Sequence, residues 1–184
     1  PVMTAALAEL ERSRAGLAIG DTRPHHIAYR LLDQRRVIVE AQFGALKASS
    51  EERTRYAAAD VRVGSAAFDN SNFIAADGAG HSPFTIEVPV EDGPDGIRHA
   101  LWWLTDSALK SAVQRLSQKD AFRRSKAGEE DLPDMTEAAV SVRDLAAAVE
   151  PLPAAAAEAL ARRVSAVFRR SKDLPGSRAG GVMF

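Results

Sequence analysis

The spacing of apolar residues changes several times along the chain, and each change marks an element. Near the start Leu7, Leu10, Arg14 and Leu17 recur at helical spacing with Gly20 beyond them, which predicts an amphipathic helix over roughly 4–18. From His25 the period becomes two. Ile27, Tyr29 and Leu31 alternate with Ala28, Arg30 and Leu32 until "DQR" interrupts the run. A second strand follows, with Val37, Val39, Ala41 and Phe43 on one face, and the short link between the two predicts a hairpin. The polar run Lys47 to Arg55 reads as a turn region. Ala57, Ala59, Val61 and Val63 then form one face of a third strand, with Ala58, Asp60 and Arg62 on the other and Gly64 at its end. Phe84, Ile86, Val88 and Val90 form a fourth strand, and Pro89, which has no N–H to donate, assigns its end to a sheet edge.

Asp92 or Gly93 can cap the next element, with Pro94 in its first turn and Asp95 facing the positive helix end. Ile97, Ala100, Leu101, Leu104, Ala108, Ala112, Val113 and Leu116 make a continuous stripe along it, which predicts a long helix covering the sheet. Lys126 to Met135 is a charged loop, and a last helix begins near Pro153 with Leu160, Val164, Val167 and Phe168 on one face. The closing Gly181, Val182, Met183 and Phe184 read as a strand just begun, as if the polypeptide were cut from a longer one. These elements predict a single α+β domain over residues 1–184. Its sheet is mostly antiparallel, a β-meander packed against amphipathic helices.

Composition narrows the function classes. With 184 residues and 46% apolar content the chain can bury one sizeable core. A formal net charge of −1 supplies no global field for nucleic acid or an acidic membrane surface, so neither is expected as a partner. The absence of cysteine removes disulfides, thiolate zinc sites and thiol catalysis together. No apolar run approaches the roughly 20 residues of a membrane span, and Glu9, Glu11, Arg12 and Arg14 interrupt any secretory core, so a cytoplasmic location is expected.

Candidate chemistry is sparse. His25 and His26 are adjacent and point to opposite faces of a strand, and His99 has no ligand partner four residues away, so no metal site is assigned within this chain. Ser82 beside His81 lacks the spacing of a catalytic triad, and "DGAGHSP" lacks the strand-to-helix context of a phosphate loop. The repeated "FRRSK" falls at two predicted helix C-termini, where cations offset the negative end of the dipole. Trp102 and Trp103 read as one core ring and one border ring.

The stretch "DVRVGSAAFDNSNF", Asp60 to Phe73, is the richest in polar side chains. Asp60 and Arg62 share a strand face and can pair. Asp69, Asn70, Ser71 and Asn72 favour turns because their side chains bond nearby backbone. The stretch is either a self-satisfied corner of the sheet or a binding loop.

Three segments, "HHIAYRLLDQRRVIVEAQFGAL", "RYAAADVRVGSAAFDNSNF" and "GIRHALWWLTDSALKSAVQRLSQKDAF", followed by "LPD" at Leu132 to Asp134, resemble in order and spacing the N-terminal region of bacterial TldD/PmbA-like proteins, the group described as modulators of DNA gyrase. The resemblance implies a two-part zinc metallopeptidase. In that family the N-terminal domain helps build a homodimer and enclose a peptide path, while the HExxxH helix and the zinc lie in the C-terminal domain. No catalytic residue, cofactor-binding residue or metal ligand is carried over to this chain. An exposed sheet edge could hold a peptide substrate by strand addition, with Asp60, Arg62, Asp69, Asn70 and Asn72 as contacts. The alternative is a self-contained protein-binding or assembly module without enzymatic activity.

Overall fold

The computed structural model describes residues 1–74, 83–125, 132–136, 138–143, 145 and 153–169. It is an α+β fold. In chain order the elements are α1 (Val2–Gly16), β1 (Pro24–Gln42), β2 (Ala45–Val63), β3 (Phe84–Glu87), α2 (Pro94–Ser125) and α3 (Ala154–Ala166), the last followed by a 3₁₀ turn at Val167–Arg169. The strands form one antiparallel sheet in the order β1-β2-β3.

The sheet differs from the expected meander in where it turns. "DQR" and Lys47 to Arg55 do not break the chain. They lie inside β1 and β2, which are two 19-residue strands joined at Phe43 and Gly44. Both turn residues have positive φ, 50° and 81°, as a two-residue hairpin loop compatible with strand twist requires. Gly44 also donates its N–H to Ser165 Oγ at 2.9 Å, and a Cβ there would stand 3.1 Å from Ala166 Cβ. The polar stretches remain strands because backbone pairing does not require an apolar face. Arg35 and Glu51 add an ion pair between the strands.

The described chain falls into two compact units. One comprises Pro1–Asp33 with Arg55–Val140 and the other Gln34–Thr54 with Ser141–Phe184. In the first, Ile27 of β1, Ala57, Ala59, Val61 and Val63 of β2, and Ile97, Leu101, Leu104, Ala108, Leu109 and Ala112 of α2 form a continuous core with Ala5, Ala6 and Leu17. Ile97, Leu101, Leu104 and Leu109 are fully buried, which stabilises the layer by about 1.5–3 kcal/mol each. The second unit has a small core of Val39, Ala41, Ala157 and Ala161.

The helices follow their predicted spans, and their buried faces show where polarity was misread. On α1 the buried positions are Ala5, Ala6, Glu9 and Ser13, while Leu7 is exposed. Glu9 is tolerated inside because Arg12 Nε donates to it at 2.7 Å. The stripe on α2 is as expected, with Thr105, Leu109 and Lys119 added to it. Thr105 satisfies its hydroxyl through Leu101 O at 2.6 Å and the Tyr29 hydroxyl at 2.5 Å. On α3 the buried face is Ala157, Ala161 and Ser165 rather than the larger residues, since Val164 and Val167 are exposed. β3 is shorter than the predicted strand and ends before Val88, whose N–H still donates to Arg55 O at 2.8 Å. The strand expected at Gly181 to Phe184 lies outside the described residues.

Candidate functional site

The polar stretch after β2 folds back on the strand it leaves. Gly64 takes φ +102°, and a Cβ there would stand 2.4 Å from Phe68 O, so only glycine fits without displacing backbone. Ser65 and Phe68 exchange main-chain hydrogen bonds of 2.9 and 3.1 Å, and Asp69 then bridges back to Gly64. This return brings Asn70 alongside β2. Its Oδ1 accepts from Val63 N–H at 2.8 Å, and its Nδ2 donates to Val61 O at 3.2 Å. The side-chain amide thus takes the place of a peptide group from a neighbouring strand. The pairing of Tyr56 with Glu87 through Ala59 with Phe84 sets which edge this is. Arg55, Ala57 and Ala59 turn their backbone groups towards β3, and by alternation Val61 and Val63 face the same side, beyond the end of β3.

Asp69 is the electrostatic centre of the corner and is fully buried. Its Oδ1 accepts from Ser71 N–H at 2.7 Å and Ser71 Oγ at 2.5 Å. Its Oδ2 lies 3.4 Å from His25 Nε2 and 3.6 Å from Arg62 Nη1, ion-pair distances without hydrogen-bond geometry. Burial works against ionisation, but the two Ser71 donors and the charges of Arg62 and His25 outweigh it and hold the Asp69 carboxyl below its usual value. Arg62 also donates to Asp60 Oδ2, from Nε at 3.3 Å and Nη2 at 3.2 Å. His26 lies among Asp60, Arg62, His25 and Arg14. Burial pulls its imidazole below the ordinary value, against the opposing effect of Asp60.

A second segment locks onto the corner. Asp134 Oδ2 accepts from Asp69 N–H at 2.7 Å and from Lys119 Nζ at 2.5 Å, while Lys119 also donates to Ser71 O at 2.7 Å. Met135 N–H reaches Ala66 O at 2.9 Å, and Asn72 Nδ2 reaches Asp134 O at 3.3 Å. Phe68 carries two cations over its ring, Lys119 and Arg123, each at 4.8 Å. The first "FRRSK" therefore does more than face a helix end, since Arg123 covers Phe68 and Arg124 pairs with Asp120 at 2.6 Å.

The five residues singled out from sequence thus divide. Asp60, Arg62, Asp69 and Asn70 occupy one corner, in which Asp69 and Asn70 are buried and their amide or carboxylate groups are engaged within the fold. Asn72 is exposed, at φ +51°. Lys119 and Asp134 were not singled out, although a lysine on the apolar stripe of α2 already requires a buried partner. Arg55 was missed too. It is 1% exposed and donates to Asp33 at 2.6 and 3.1 Å, Asp92 at 2.9 Å and Pro89 O at 3.0 Å. Its alternation with Ala57 and Ala59 was the available signal.

The two tryptophans depart from expectation. Trp102 is 44% and Trp103 47% exposed, stacked on His99 and packed edge-on against Phe84. Both face outward because Leu101 and Leu104 occupy the core positions of that turn. A cavity of about 30 Å³ lies between β2 and α2, lined by Val61, Asn70, Phe84, Ala108 and Arg115 among others. Among the described residues no group of three or more His, Asp or Glu side chains converges on a point where a metal could sit, and no helix is long and apolar enough to cross a membrane. His81, Ser82 and the rest of the glycine-containing turn before Pro83 lie outside the described residues.

No family model matches the chain, and neither the curated proteins nor the solved structures contain a match.

Proposed function

We propose that this chain is the noncatalytic N-terminal domain of a TldD/PmbA-like metallopeptidase, where it binds extended peptide and shapes the homodimer while cleavage takes place at a zinc site in a C-terminal domain. The observation that supports the reading is convergence. The segments that carry the resemblance are β1, the second half of β2 with its corner, α2, and the loop Leu132 to Asp134. They supply His25, Asp69, Lys119 and Asp134 to one connected cluster. Segments scattered over more than a hundred residues thus share one structural purpose, as the parts of a family motif do. Within this domain the residues hold and orient. Zinc, where the family carries it, supplies the polarised carbonyl and activated water.

The reading is tested on the source gene. Translation of the frame beyond the codon for Phe184 is expected to give a domain with HExxxH on a helix, and the full-length product should cleave unfolded peptide in a chelator-sensitive manner. A stop within a few codons, or zinc-dependent cleavage by residues 1–184 alone, refutes it.

A second reading, a self-contained binding or assembly module, is favoured by the aromatic trio of Trp102, Trp103 and Phe84. All three belong to unit 1 and are more than a third exposed. It predicts the early stop and a sharply melting chain whose tryptophan fluorescence shifts when a protein partner is added.

A further inference from the structure

β1 and β3 are the terminal strands of the sheet, and β2 continues past the end of β3. On the β3 side, β2 is paired through Ala59 by β3 and at Val61 and Val63 by the Asn70 amide. On the other side β1 ends the strand order, with no further strand among the described residues. At His25 the main chain itself is accessible, because the residue is exposed while its side chain is only 22% exposed. An accessible edge strand presents unpaired N–H and C=O groups to an incoming chain.

The charges beside this edge select what can pair with it. Arg14, Arg23 and Arg30 are exposed, and His26 lies close enough to Arg14 to feel its charge. Arg14 and Arg30 have no carboxylate partner among the described residues, and Arg23 reaches only Ala15 O, at 3.5 Å. The neighbouring carboxylates are committed elsewhere: Asp33 to Arg55, Asp60 to Arg62, and Asp69 to His25 and Arg62. A second copy of β1 would set these arginines against their own kind, which costs affinity, whereas an acidic strand would complement them.

We propose that the outer edge of β1 between Pro24 and Asp33 takes an extended acidic peptide as an added strand, with Arg14, Arg23 and Arg30 facing its carboxylates. This rests on the peptide-binding reading above and specifies the peptide class. Main-chain hydrogen bonds supply the geometry and the arginines the preference.

The test is fluorescence anisotropy of the full chain with three labelled ten-residue probes: alternating Glu and Val, alternating Lys and Val, and the Glu probe N-methylated at every second residue. The Glu probe is expected to bind at least about tenfold more tightly than the Lys probe, and N-methylation to abolish binding. Arg30→Gln, at an exposed position that leaves the fold intact by circular dichroism, should weaken the Glu probe about three- to tenfold, as should Arg14→Gln. Equal binding of the Glu and Lys probes overturns the acidic preference and leaves the peptide-binding reading standing. Binding indifferent to N-methylation overturns the added strand. No binding by any probe overturns both the proposal and that reading.

Discussion

Replacing Asn70 by alanine tests the claim that a side chain completes the sheet. The truncation removes the acceptor of Val63 N–H and the donor to Val61 O, two groups on residues that are 0% and 3% exposed. A buried backbone group left without a partner costs about 1–3 kcal/mol, so the pair amounts to about 2–6 kcal/mol. The neighbouring cavity of about 30 Å³ grows when the carboxamide leaves, and a water entering it could bond to one or both groups, which trims the upper end. The expected loss is therefore about 2–4 kcal/mol, a large part of the stability of a domain this size. Urea unfolding followed by tryptophan fluorescence measures it cleanly, since the chain's two tryptophans both sit on α2 in the unit that holds Asn70. Asn70→Asp sharpens the test. Its carboxylate keeps the acceptor for Val63 but turns an oxygen towards Val61 O, so the folded state favours the protonated acid, which restores a donor. The folded pKa then lies above the unfolded one, and the variant should gain stability as pH falls towards the ordinary carboxylate range, about 4. A loss below about 0.5 kcal/mol in Asn70→Ala, or no gain on acidification of Asn70→Asp, refutes the strand-mimic argument.

Three further outcomes follow from β2 and its corner. Arg55→Met should cost about 1–3 kcal/mol in urea unfolding, because Pro89 O loses its donor while Asp33 and Asp92, with side chains 41% and 52% exposed, can rehydrate. Gly64→Ala should cost at least about 1–3 kcal/mol and lower the thermal midpoint, since it adds a Cβ against Phe68 O at φ +102°. Asp69 is held below its usual pKa when folded, so its stabilisation is present above the unfolded pKa of about 3.9 and is lost as pH falls through the folded value; Asp69→Asn should flatten that acid limb in a series of unfolding midpoints.

The long apolar periods were legible, and so were the elements they make. The α2 stripe, the Ala57 to Val63 face and the onset of α3 all follow from apolar spacing alone. The hairpin turn was not legible. Phe43 carries none of the glycine or asparagine character that announces positive φ, while the polar runs at Asp33 to Arg35 and Lys47 to Arg55 carry turn composition inside paired strands. The candidate site was legible as a corner, since Asx side chains turn chains wherever they lie. Its depth was not. Around the buried Asp69 and Asn70, Lys119 and Asp134, some fifty and sixty-five positions further on, supply charge and hydrogen bonds to Asp69 N–H and Ser71 O, and no local window contains both ends of such a contact.

Asparagine is the one side chain short enough for this corner that carries both halves of a peptide group. Aspartate offers two acceptors, serine and threonine a single oxygen, and glutamine a longer arm with another rotor to fix. The amide must also arrive beside β2 within the few residues after the strand ends. Gly64 supplies that reversal by adopting a backbone conformation closed to other residues, and the Ser65 to Phe68 turn completes it. Glycine, turn and asparagine therefore act as one device that closes β2 past the point where β3 stops. Its consequence reaches across the sheet. With the β2 edge occupied by a covalently attached mimic held by the Lys119–Asp134 pair, an incoming strand would have to displace buried hydrogen bonds there, whereas at His25 of β1 the main chain is accessible. The residues that make this corner rigid thus close β2 to strand addition past the end of β3.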